Sequence, residues 1–120
     1  MRLAVLLCFS CALAFAETWS GSLVDFNCYA ALERNRNPHD TLIYVDRDTN
    51  SEIRYCTPGA KAKVFGMIEP EGATFQFDAG GNAKAAELVR SVGKKSRIRV
   101  VVTGEKSGDT IKVDSVSLIH

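Results

Sequence analysis

Only two of the 120 residues are histidine, His39 and His120, and neither sits in a catalytic motif. Nucleophilic catalysis needs a base beside the nucleophile, and histidine is the side chain whose ordinary pKa suits that work near neutral pH. His39 therefore reads as a polar loop residue and His120 as a chain end. The chain has no phosphate-binding glycine loop, no dinucleotide fingerprint and no zinc-hydrolase helix. An excess of one charge is missing as well, with 15 Lys and Arg against 14 Asp and Glu. A general attraction to nucleic acid or to an anionic membrane is not indicated. Oxygen-rich stretches are present but incomplete: Asp78, Gly80 and Asn82 alternate like the start of a calcium loop, and Asp46 lies near Asp48. Both lack the later bidentate acid that calcium requires, so we read them as turn, cap and loop chemistry. The expectation is a protein that is not an enzyme, with no cofactor and no metal.

Long apolar runs are also scarce, and the clearest one lies at the start. Arg2 is followed by an apolar run over residues 3–9, the charge and length of a secretory leader. A membrane span needs roughly 20 apolar residues, whereas Glu17 interrupts this stretch. Ala14-Phe15-Ala16 supplies the small-x-small pattern of a cleavage site, so residues 1–16 are expected to leave as a signal peptide. Residues 17–120 then form one domain with no stable membrane insertion. Cys8 and Cys11 come too early for a lipidated cysteine. Cleavage removes Arg2, which leaves the acidic and basic residues balanced.

Two cysteines leave with the leader, and Cys28 and Cys56 remain as the one pair in an oxidising compartment, where a disulfide is the default. Redox thiols stand about two residues apart, and zinc sites favour a close cysteine pair, so a structural bridge is the better reading.

Along the mature chain, Trp19, Gly21 and Leu23 alternate with Ser20, Ser22 and Val24 in the period of a strand, with Gly21 permitting a bend. Asp25, Phe26 and Asn27 read as turn residues, and residues 29–34 as a short helix. Residues 41–45 (TLIYV) and 52–55 (EIRY) read as a loose hairpin. The segment 28–56 is thus an insertion tied at its base by the disulfide, and it is expected to bury little apolar area of its own. Residues 62–68 and 74–78 form the next two strands. Asn82 is placed to cap a helix whose apolar stripe is Ala85, Leu88, Val89 and Val92, and Gly93 suits its end. Ile98, Val100 and Val102 face inward from a fourth strand, and Ser107-Gly108-Asp109 turns the chain back. In the last strand, Ile111 and Val113 share a face with Val116 and Leu118 only if a β-bulge at Asp114-Ser115 absorbs one residue.

This order predicts a mainly β protein with one prominent helix, a small five-stranded OB-like barrel with a disulfide-tied insertion after the first strand. The stretches TWSGSLVDFNC, CTPGAKAKVFG, FDAGGNAKAAELV and VTGEKSGDTIKVDSV also carry a resemblance. Together they are similar to a family of small exported bacterial proteins of uncharacterised function, seen chiefly in acidobacteria, with an OB-fold-like domain. The resemblance implies a scaffold and assigns no catalytic residue.

Among the aromatics, Trp19, Phe75 and Phe77 occupy core-like strand positions. Tyr29, Tyr44, Tyr55 and Phe65 are the candidate exposed ligand-binding rings. The one local excess of positive charge, Lys94, Lys95, Arg97 and Arg99 with Lys106 beyond, is a candidate anion site and equally a solvated strand face. The leading expectation is a secreted or periplasmic binding module of the cell envelope, with a small molecule, glycan or protein as ligand. A structural or stress-tolerance envelope protein acting through protein contacts is the alternative. Nucleic-acid binding is disfavoured by the neutral charge.

Overall fold

The computed structural model describes residues 16–34, 49–93, 95 and 97–119. The expected leader up to residue 15, the expected strand at residues 41–45, and His39, Tyr44, Asp46, Asp48, Lys94 and His120 lie outside the described residues. Five strands, β1 (Glu17–Asp25), β2 (Phe65–Ile68), β3 (Thr74–Phe77), β4 (Arg99–Ser107) and β5 (Thr110–Leu118), close into a barrel in the order β1-β2-β3-β5-β4. Neighbouring strands run antiparallel except β3 and β5, whose parallel pairing of Gln76 with Thr110 and Phe77 with Ile111 completes the ring. The helices among the described residues are α1 (Phe26–Arg34), α2 (Thr49–Tyr55) and α3 (Ala79–Val92). The expected mainly β, OB-like barrel is what the chain forms.

Alternation along each strand sends one set of side chains inward. Leu23, Phe65, Met67, Phe77, Val100 and Ile111 meet inside the barrel, and Ala85 and Val89 of α3 pack into the same cluster. Trp19 is half-buried at its margin, its ring 6.0 Å from that of Phe75. β1 serves two neighbours, pairing with β4 through its first half and with β2 through its second, and Ser22 partners both Arg99 and Ile68. The chain around Ile68 passes close to Gly21, where a Cβ would stand 2.5 Å from the Ile68 carbonyl oxygen. The expected bulge in β5 is present: Thr103 pairs with Ser115 and Gly104 with Val113, so Asp114 is the extra residue.

The start of α3 differs from its sequence reading. Residues 79–81, expected as loop, are helical, and the N-cap is Asp78 rather than Asn82. Its Oδ1 accepts from the Gly81 N–H at 2.9 Å and from the Val113 N–H at 3.1 Å, so one carboxylate caps the helix and ties β5 to it. Asn82 instead accepts from the Phe65 N–H at 2.8 Å, which joins the helix to β2. The helix ends as expected at Gly93, whose φ of 74° is left-handed backbone. Burial pushes the Asp78 carboxyl up, but hydrogen bonds from the backbone N–H of Val113, Gly81 and Asp78 itself, with Lys112 nearby, outweigh this and hold it below its ordinary value. A folded-state pKa below the unfolded one adds stability at neutral pH, and that stability is lost as pH falls through the folded value. Replacing Asp78→Ala is therefore expected to cost about 1–2 kcal/mol at neutral pH. Chemical unfolding at neutral pH and again below about pH 4 should show this loss shrinking in acid.

The insertion departs furthest from expectation. α1 begins directly at Phe26, with Asp25 Oδ1 accepting from the Cys28 N–H at 3.2 Å in the manner of an N-cap. Residues 52–55 belong to helix α2 and not to a strand, because Ile53 and Cys56 recur at helical spacing on one buried side while Arg54 and Tyr55 face solvent. The Cys28–Cys56 disulfide is formed, with Cα atoms 5.6 Å apart. The two helices bury more than expected: Tyr29, Ile53 and Cys56 form a second apolar cluster with Val24 of β1 and Ile68 of β2. That cluster lies on the opposite face of these strands from the barrel core, so β2 is buried on both sides. β2 is also shorter than expected. Lys61 and Lys63 are exposed, and the chain enters the strand only at Phe65.

Candidate functional site

The outward face of β1 carries Ser20, Ser22 and Val24 in succession. Val24 is covered by the insertion, whereas the two serines extend past its edge. In the extended chain leading into the neighbouring β4, Ile98 is buried in the barrel core, and Arg97 and Arg99 flank it on the cleft side. A cleft of about 480 Å³ forms where these surfaces meet. Among the described residues, its polar lining comprises Ser20, Ser22, Glu69, Arg97 and Arg99. Its apolar lining comes from Ile53 of α2, Ile68, Pro70 and Ile119, with Gly21 between the serines.

Local structure places each of these groups. Ser22 is 6% exposed and its Oγ accepts from Arg97 Nε at 3.1 Å, which anchors the guanidinium to β1. Arg99 is exposed, and its carbonyl accepts from the Ile119 N–H at 2.8 Å, holding the end of β5 against the cleft. Glu69 enters the β2–β3 turn, where its N–H donates to Ala73 O at 2.8 Å and its carbonyl accepts from Gly72 N–H at 2.8 Å. The arrangement supplies two cationic forks, two hydroxyls, one carboxylate and a flanking apolar wall, groups that recognise charge and hydroxyl together.

Of the candidate anion-binding residues, the structure brings Arg97 and Arg99 into the cleft, while Lys95 is exposed and outside its lining. Of the candidate rings, Tyr55 is exposed as expected, at 75%. Tyr29 and Phe65 correct the reading, being 7% and 1% exposed. Tyr29 is covered by the insertion cluster and Phe65 by the barrel core, because the strand each lies on or against has no open face. Sequence reasoning missed Ser20, Ser22, Glu69 and Ile53. For the serines the one sign was that they bracket a glycine within a strand, and Glu69 and Ile53 carried none.

Among the described residues, no group of three or more His, Cys, Asp or Glu gathers to hold a metal ion. Nor is any helix among them long and apolar enough to cross a membrane. The disulfide fits a non-reducing compartment. The fold class is thus a small disulfide-tied OB-like barrel with a mixed-charge cleft on its outer wall. Compared with known proteins, the chain matches no family model, no curated protein and no solved structure.

Proposed function

We propose that this chain is an exported, non-enzymatic binding module of the bacterial cell envelope, and that the cleft over β1 is where it takes its ligand. The observation that carries the reading is the convergence of Arg97, Arg99, Ser20 and Ser22 with an apolar wall in a volume of about 480 Å³. Volumes of about 300–1,000 Å³ with a few placed polar groups are typical of small-molecule sites. Export is supported by the leader-like residues 1–16, by the disulfide, and by the resemblance to small exported bacterial proteins. The insertion adds specificity through Ile53, which walls the cleft from α2.

A thermal-shift screen of small polar metabolites and oligosaccharides tests the reading, using Ser20→Trp as the blocked control. Ser20 is exposed, so the indole fills the cleft without entering the core. A ligand at about 100 times its Kd adds about 2.7 kcal/mol to the wild type, which raises Tm by several degrees. The Ser20→Trp protein should show no such rise. Turnover of a substrate in a hydrolase or redox screen, abolished by changing one polar residue, would overturn the non-enzymatic assignment.

One feature favours the second reading, a structural envelope protein working through protein contacts. Tyr55 stands out from α2 beside a second, largely apolar depression with Leu32 and Ser51. If Tyr55→Ala abolished a partner interaction that Ser20→Trp left intact, that reading would replace the first.

A further inference from the structure

We propose that the protein pairs with a second copy of itself along β5, edge to edge about a two-fold axis at Ser117. The barrel closes on β5 only at its start, where β3 pairs with Thr110 and Ile111. Beyond that point no strand among the described residues lies on the side of β5 away from β4. Asp78 satisfies the next backbone groups: its N–H donates to the Ile111 carbonyl at 3.0 Å, and its Oδ1 accepts from the Val113 N–H at 3.1 Å. Further along, the Ile119 N–H donates to the Arg99 carbonyl at 2.8 Å, so residue 119 turns its backbone toward β4. Alternation then turns Ser117 and Ser115 toward β4 as well. The N–H and C=O groups of Val116 and Leu118 are left on the open side, where no described residue pairs with them.

Open edge groups are satisfied by water or by another extended chain, and native edges are blunted by charges and bulges. In β5 those devices sit in the first half, as Lys112, Asp114 and the bulge, whereas residues 115–118 (SVSL) carry no charge. Antiparallel self-pairing about Ser117 sets Val116 opposite the partner's Leu118, and each such pair exchanges both of its N–H···O bonds. Ser117 then faces the partner's Ser117 as a non-hydrogen-bonded pair, with Cα atoms about 4.5 Å apart. Beside this edge, a groove of about 720 Å³ is rimmed among the described residues by Lys84 and Arg90 with Glu87 and Asp114, and by Leu88 and Val116 as its apolar part. That balance of sign gives a partner of one charge no complement, whereas a second copy brings the same balance to meet it. With 15 basic and 14 acidic residues in the chain, copies meet little long-range repulsion.

Sedimentation of the disulfide-bonded protein without its leader tests the pairing. Because the edge is short, association is expected to be weak, with monomer at about 10 μM giving way to dimer near 1 mM. Hydrogen exchange at Val116 and Leu118 should slow by about tenfold over the same range. Ser117→Glu and Ser117→Lys each set like charges face to face, so each should stay monomeric to about 1 mM. Both should unfold near the wild-type midpoint, because Ser117 is exposed. An equimolar mixture of the two variants should dimerise again, as opposite charges then meet across the axis. A wild type that stays monomeric throughout overturns the proposal. A dimer that survives both substitutions places the contact elsewhere and overturns it too, and a mixture that fails to restore the dimer overturns the pairing across Ser117.

Discussion

Phe65→Ala is expected to cost about 3–5 kcal/mol of unfolding free energy, the range for deleting a fully buried aromatic side chain. Phe65 is 1% exposed and lies in the barrel core with Met67, Phe77 and Val89. Its removal leaves a void between β2 and α3 that the closed barrel is poorly able to collapse, because the Asn82 bond to its backbone fixes the spacing of the two elements. Tyr55→Ala is the matched control. At 75% exposure its loss should change stability by no more than about 0.5 kcal/mol. Urea unfolding of both variants checks the pair. A loss below about 1 kcal/mol for Phe65→Ala would mean that the ring does not reside in the core.

The second large effect is expected from the disulfide. Replacing Cys28 and Cys56 together by serine should cost about 3–4 kcal/mol, since the bridge closes a loop of sequence separation 28 in the unfolded chain. The same bridge pins α1 and α2 over Val24 and Ile68, so its loss should be felt unevenly. Hydrogen exchange should quicken first in residues 26–34 and 49–56, while β4 and β5 keep their protection. Guanidinium unfolding of the wild type with reductant should coincide with that of the double variant. A loss under about 1 kcal/mol would mean that the apolar cluster holds the insertion without covalent help.

The elements that were legible in sequence share a property: each repeats a short pattern whose meaning is local. Ile98, Val100 and Val102 alternate with Arg97, Arg99 and Val101, and the odd spacing between Val113 and Val116 marks a bulge wherever both must face one core. The insertion was misread because residues 52–55 are too few to distinguish a period of 2 from one of 3.6. Only docking against Val24 and Ile68 shows that the buried side recurs from Ile53 to Cys56. Asn82 and Asp78 are both good caps, and the choice between them was made by Val113, a residue distant in sequence whose N–H needs the Asp78 carboxylate. Phe65 could not be told from a surface ring, since β2 is covered on both faces and so shows no polar alternation, and Tyr29 is buried only because the two insertion helices pack over Val24 and Ile68.

The candidate site was half visible. Arg97 and Arg99 stood out as local charge, but charge alone does not separate a solvated strand from a cleft wall. Ser20, Ser22 and Glu69 join them through the pairing of β1 with β4 and β2, which brings together residues from opposite ends of the chain.

By itself the sequence determined the strands of the barrel, the long helix with its glycine stop, the bulge and the cysteine pair, because residue type and spacing along the chain decide these locally. The tertiary structure decided which face of each strand is covered, which residue caps α3, how the insertion packs, and that two arginines and two serines share one cleft. Those outcomes depend on closure of the barrel, which sets neighbours between segments far apart in sequence, and no local pattern encodes that proximity.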